Sequence, residues 1–421
     1  MRTGNNSSRH ALALAVAAVF AMGVSFATTV VLARLLTGSA YGSVIQLLGV
    51  LLVFTMPGTA LTVAIVRHLA HGGFGTRDAT GGSDLRRIHR DGYAVAGALA
   101  LLALAGRDLV GRWLSIPDPG PVFPILCAAA VYLLVSIDRG VIQASRSYGS
   151  LAVNLMIEGG TRSVGMIAAA VGGFGATGVA YALLLSEVVA AVHARWAAAS
   201  LERAAALPAG ALPARRYAHV VYDSALALGT VAMLAGLQNV DIVILGRENH
   251  ANSGPYAPIS VATKALVFWA LFSTNYLVPE AAMRRQAGAH AYRQLAQAFA
   301  AVLAPAVLLL AIATIAPSTL LAVAFGEHSR EATAALLPLT AAMACLSVTV
   351  VLTVFMLGSG WTQFLPILVA GLVAAMVVTT QAAGNIGMTA RGDLLVQAAI
   401  AIAMVAVIAV NARRTGSRRT A

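Results

Sequence analysis

The chain has 421 residues, of which 59% are hydrophobic and only 10% charged, with a net charge of +12. A soluble domain carries about 25% charged residues, so this chain lacks the polar groups to cover a water-facing surface and its bulk solvent is lipid. The basic excess does not indicate nucleic acid, because the charges sit in short segments between apolar runs and no basic domain is present to dock it.

A bilayer core about 30 Å thick takes about 20 apolar residues of helix. Apolar runs of that size are predicted as spans at 11–35, 42–66, 92–114, 121–142, 149–171, 176–197, 217–246, 254–279, 295–316, 332–357, 361–380 and 393–411. The expected fold is therefore an all-α polytopic membrane protein with about 12 transmembrane helices. Continuous Ala- and Leu-rich runs argue against a β-barrel, whose strands alternate over short segments. The first run is too long for a cleavable signal, and no small-residue cleavage site with a polar region follows it. Cys127 and Cys345 lie in apolar runs and are expected as small core residues, not as a disulfide or a metal site.

The longest loops are expected at about 67–91 and 198–216, both too short for a folded domain. With the N-terminus inside, the inner loops and the tail hold most of the arginines, among them Arg67, Arg86, Arg195, Arg216, Arg284 and Arg413. The positive-inside rule then places both termini in the cytoplasm, and the basic tail is free to lie on anionic lipid. Once the other basic residues are assigned to the inner or outer side, Arg162 and Lys264 remain, both inside predicted spans.

Two hairpins echo one another. Arg34 to Gly42 joins spans one and two, with an Arg closing the outward helix and a small-residue turn and Tyr41 opening the return. Arg247 to Tyr256 does the same between spans seven and eight, and Pro57 and Pro279 follow in the two return helices. The echo divides the chain into a six-helix bundle at 1–200, a connector at 201–216, and a second six-helix bundle with a short basic tail at 217–421.

At these hairpins the chain resembles the polysaccharide-biosynthesis flippases of the multidrug/oligosaccharidyl-lipid/polysaccharide exporter superfamily. Arg34, Leu35, Leu36, Tyr41 and Gly42 match the family's first hairpin. Asp241, Gly246, Gly254, Tyr256, Ala262 and Pro279 fall where its seventh and eighth helices place the same residue types. The resemblance covers about 70 residues, and the last four spans match no motif. It implies two six-helix bundles around a central cavity in a bacterial inner membrane. It also implies movement of a polyprenyl-diphosphate-linked oligosaccharide from the inner to the outer leaflet by alternating access, for surface polysaccharide biosynthesis. The implied partners are that lipid-linked glycan, membrane lipids and other glycan-assembly membrane proteins. No nucleic acid and no cofactor are expected.

Charged groups inside spans are costly and usually face a partner or a cavity. Asn154, Glu158, Arg162 and Gly165 share one face of span five. Glu158 and Arg162 stand four apart and are able to pair. They form either a self-neutralised packing pair or a cavity-lining stripe in which Arg162 meets an anionic head group through its planar fork. In spans seven and eight, Asp241 and Lys264 are placed to meet, as a structural bridge or with Lys264 attracting phosphate. Trp269, mid-span, either lines the cavity or packs. Glu187 in span six has no charge one turn away on its own helix, which makes it a candidate for ion coupling. Arg34, Asp138, Arg139, Asp223 and Glu280 lie near span ends, where snorkelling accounts for them.

No nucleophile elbow, zinc-protease, P-loop or C-x-x-C motif occurs, and the histidines make no metal-spaced cluster. The chain is therefore not expected to be an enzyme. Two alternatives to flipping stand: an ion-coupled multidrug or small-solute antiporter of the same superfamily, and a membrane glycan polymerase or ligase.

Overall fold

The computed structural model describes residues 20, 23–71, 81–145, 147–204, 214–273, 292–326, 332–359 and 361–417. Among these residues the regular structure is helical and no strand occurs. A bilayer core offers the backbone no hydrogen bonds, so each spanning segment satisfies its own N–H and C=O groups within a helix.

The helices begin with α1 (Gly23–Leu35). There follow α2 (Gly38–His71), α3 (Gly81–Trp113), α4 (Val122–Ala144), α5 (Tyr148–Val171), α6 (Gly175–Ala204), α7 (Ala214–Glu248) and α8 (His250–Ser273). The series ends with α9 (Tyr292–Ile315), α10 (Pro317–Phe325), α11 (Thr333–Gly358), α12 (Phe364–Gln381) and α13 (Ile386–Ser417). A helix lies at each predicted span, and α10 is an additional short one. Nine of the described helices are long and apolar enough to cross a membrane. Outside that nine fall the short α1 and α10, and also α5 and α8, which hold Arg162 and Lys264.

Several boundaries differ from expectation, among them the loop predicted at 198–216, where α6 continues to Ala204 and α7 begins at Ala214. The loop predicted at 67–91 is shorter, because α2 continues to His71 and α3 begins at Gly81. The last span starts at Ile386 rather than 393. The charges at Arg391 and Asp393 made the sequence look like a loop there, yet Asp393 is only 3% exposed.

The chain divides into two compact units. One comprises Met1–Leu36 and Val50–Ala232; the other comprises Thr37–Gly49 and Met233–Ala421. The division falls inside α2, so its first residues belong to the second unit and the rest of the helix to the first.

In the first unit α6 packs on both α4 and α5, and α3 packs on α4. Its core joins Ile65, Leu85, Ile137, Val141 and Leu151 with the small residues Ala194, Ala197 and Ala198 of α6. The turn between α5 and α6 contains Gly173 at φ 77° and Gly175 at φ 59°, a conformation that only glycine adopts without strain. This tight reversal lays α6 back along α5, and at Gly165 an added Cβ would stand 3.2 Å from the Ala182 Cβ. In the second unit α11 packs on α8, α9 and α13, and α12 packs on α13. Leu336, Leu339, Met343, Leu346 and Phe355 of α11 are fully buried there.

The outer faces are apolar. Leu101, Val164, Phe174, Leu395 and Ile402 are each about 70% exposed, far more apolar surface than a water-facing monomer shows. Trp113 and Trp196 are exposed near helix ends, where amphipathic rings anchor in the interface.

Candidate functional site

In the first unit, α4, α5 and α6 bring four charged side chains together. Arg139 of α4 is buried: its Nε donates to Asn154 Oδ1 at 2.7 Å and its Nη2 donates to Glu158 Oε2. Arg162, one turn beyond Glu158 on α5, donates from Nη2 to Glu158 Oε1 and to Glu187 Oε1 on α6 at 2.6 Å. Asn154 in turn donates to the Ala190 backbone carbonyl at 2.9 Å and lies 3.1 Å from His193 Nδ1. The face predicted from Asn154, Glu158, Arg162 and Gly165 is thus the face that meets α6.

Glu187 is not isolated, because its partner comes from α5 rather than from its own helix. Nor does Arg139 snorkel; it is 6% exposed and bonded on two sides. Its position near a helix end gave no sign of this, since its partners lie 15 and 19 residues away. Two atoms of the cluster are buried without a hydrogen-bond partner among the described residues, Arg162 Nε and Glu187 Oε2. The Arg162 side chain is 26% exposed, against 8% for Arg139 and 3% for Glu187. Arg162 is therefore the most exposed charged side chain of this cluster.

A second group in the same unit joins α3, α4 and α6. His89 Nε2, Asp138 Oδ1 and Glu202 Oε1 each stand 2.9 Å from Arg195 Nη1. These three side chains are spaced to hold a metal ion, which their sequence positions do not reveal. The Arg195 guanidinium already supplies the positive charge at their centre. Asp138, predicted to snorkel, is 3% exposed in this group.

In the second unit Asp241 and Lys264 meet. Lys264 Nζ stands 3.3 Å from Asp241 Oδ1, at an angle that leaves Oδ1 without a hydrogen bond. Asp241 Oδ2 accepts from Tyr256 Oη at 3.0 Å and from Ser260 Oγ at 3.3 Å. Lys264 also donates to Asn239 Oδ1 at 3.3 Å. The pair is almost wholly shielded, with Asp241 0% and Lys264 5% exposed. Sequence reasoning missed Asp393 of α13, whose Oδ1 accepts from Gln397 Nε2 at 3.1 Å. Its Oδ2 is buried without a partner among the described residues. The signal was there in the four-residue spacing from Asp393 to Gln397, hidden by the late start assigned to the span.

The two hairpin motifs meet within the second unit. A Cβ on Gly42 would stand 2.3 Å from Ser253 Oγ, and one on Gly254 would stand 2.6 Å from the Gly38 carbonyl oxygen. Tyr41 is 2% exposed and Tyr256 0%. Arg34 is exposed at the end of α1. Trp269 is 45% exposed, and its Nε1 donates to the Ala301 carbonyl of α9 at 2.9 Å. Pro279 and Glu280 lie outside the described residues, as does the side chain of Asp223. A recess of about 570 Å³ between α12 and α13, lined by Pro366, Ala370, Leu395 and Ile400 among others, is wholly apolar and shares no residue with these clusters.

No protein-family model matches the chain, and no curated protein sequence matches it. Solved structures do. The fold is similar to an inward-facing multidrug resistance MATE family transporter of the MOP superfamily, with a TM-score of 0.68 and 14% identity, covering 97% of this chain and 99% of that chain. It is similar to the lipid II flippase MurJ in an inward closed conformation, with a TM-score of 0.71 and 9% identity, covering 93% and 87% of the two chains. It is also similar to a MOP superfamily transporter from Pyrococcus furiosus, described by the reverse polarity of its binding pocket, with a TM-score of 0.55 and 15% identity over 94% of each chain. This chain is a multi-pass helical membrane protein with the fold of the MOP superfamily transporters.

Proposed function

We propose that this protein moves a polyprenyl-diphosphate-linked oligosaccharide from the inner to the outer leaflet of a bacterial inner membrane by alternating access. The observation that carries the reading is Arg162: a guanidinium midway along α5, partly exposed, with its buried Nε lacking a hydrogen-bond partner among the described residues. Arginine recognises phosphate oxygens through a flat fork of donors, and the exposed part of the Arg162 side chain is where an oxyanion would meet it. The fold shared with a lipid II flippase supports the same direction. On this reading both termini are cytoplasmic, and glycan-assembly membrane proteins supply and consume the cargo.

The test is leaflet location of the lipid-linked glycan in a deletion strain carrying wild type or Arg162→Ala at matched protein level. Accumulation in the inner leaflet with Arg162→Ala, reversed by wild type, is the expected result. An unchanged location in the deletion strain removes the function.

A second reading, ion-coupled export of organic cations, is favoured by the MATE family neighbours and by the buried carboxyls of Glu187 and Asp393. Resistance to organic cations on overexpression, without a glycan phenotype, selects it over flipping.

A further inference from the structure

The two carboxylates of the first-unit cluster are held differently. Glu158 has a guanidinium on each oxygen, Arg139 on Oε2 and Arg162 on Oε1. Glu187 has one partner, the Arg162 Nη2 at 2.6 Å on its Oε1, while its Oε2 has none among the described residues. Arg139 is anchored by Asn154, which is itself tied to the α6 backbone. If Arg162 moves, Glu158 keeps a cation and Glu187 loses its own. The groups that act on Glu187 are Arg162 and Glu158 from α5 and Arg139 and Tyr132 from α4. Of these, Glu158 repels its charge and Arg139 is engaged with Glu158.

We propose that an anionic phosphate ligand and a proton bind this cluster together, the phosphate taking Arg162 from Glu187 and Glu187 taking a proton from water. The inference rests on the reading of Arg162 as the phosphate-binding residue. One ion pair, Arg162 with Glu187, is exchanged for another, Arg162 with a phosphate oxygen. The carboxylate left behind is 3% exposed, and a buried charge without its partner is strongly unfavourable. Protonation of a Glu187 oxygen removes that charge. The cluster is formally neutral before, with two arginines and two glutamates. It is neutral after, when one negative phosphate oxygen has been added and one carboxylate neutralised. One proton is therefore taken up for the one carboxylate that Arg162 leaves, and ligand loading is coupled to the proton gradient without a separate ion site.

The linkage has a definite sign. Binding takes up a proton, so affinity strengthens as pH falls and weakens by up to about tenfold per pH unit as it rises. The test is calorimetric titration of the full chain in lipid nanodiscs with farnesyl diphosphate, in buffers of different ionisation enthalpy. Wild type should take up about one more proton per bound probe than Glu187→Gln. The Glu187→Gln variant, whose amide imitates the protonated acid, should bind at least as tightly as wild type. Protonation of the probe itself is common to both proteins and cancels in the difference. Infrared difference spectra of wild type should show a protonated carboxyl band on probe addition, a readout that needs no variant. Equal uptake in the two proteins, or no such band, overturns the coupling and leaves the flippase reading standing. Failure of wild type to bind farnesyl diphosphate removes both. Equal behaviour with inorganic pyrophosphate supports the coupling and assigns recognition to the phosphates rather than the isoprenoid chain.

Discussion

Lys264 is the only lysine in the chain, and it stands where a cation is hardest to keep. Its ammonium contacts Asp241 at 3.3 Å with both residues nearly or wholly buried. Removing one partner of such a pair leaves the other charge stranded, at a cost of about 3–5 kcal/mol, whereas replacing both is often close to neutral. Lys264→Met alone is thus expected to destabilise strongly. Asp241→Asn alone should also destabilise, because it strands the Lys264 ammonium with Asn239 as its remaining partner among the described residues. The double variant should be more stable than the sum of the two predicts, with an interaction energy within about 0.5–3 kcal/mol, measured by denaturant unfolding in detergent micelles. An additive result would mean that the two charges do not interact in the folded protein. Residue identities and same-helix spacings were legible at this scale: the Asn154, Glu158, Arg162 and Gly165 stripe followed from helical geometry alone. Arg139 and Glu187 were not, because their partners belong to neighbouring helices.

Close helix contact, rather than side-chain chemistry, governs the element scale. The start of α2 lies against the start of α8 with glycine facing glycine, and a Cβ on Gly254 would meet the Gly38 carbonyl oxygen at 2.6 Å. The obstacle is backbone, which has little room to yield, so overpacking here costs about 1–3 kcal/mol. Gly254→Val should lower the unfolding midpoint, while Gly97→Ala, where nothing lies within 4 Å, should leave it unchanged or raise it. Equal effects of the two would show that the α2–α8 approach is not tightly packed. The repeated hairpin was visible in sequence as Tyr41-Gly42 and Gly254-Pro255-Tyr256. That the two copies pack on each other was not, since a small-residue pattern names no partner. Helix ends were the least legible feature. Asp393 looks like the edge of a span until α13 is seen to begin at Ile386.

For the whole molecule, apolar run length and arginine bias predict a specific topology. Ser115 follows α3 and Ser147 precedes α5, so the positive-inside orientation puts them on opposite sides of the membrane. In a variant lacking Cys127 and Cys345, an impermeant maleimide should label Ser115→Cys in intact spheroplasts and Ser147→Cys only after permeabilisation. The reverse pattern would invert the topology. The lipid environment, the helical class and the approximate positions of the spans follow from local composition and from a backbone that must satisfy itself within one segment. The tertiary structure alone decided which charges neutralise which. Arg139, Glu158, Arg162 and Glu187 become one network only when the glycine turn after α5 lays α6 beside it, and α2 divides between two units only when its first residues find α8. Long-range pairing of this kind is set by packing between helices, and no periodicity along a single helix encodes it.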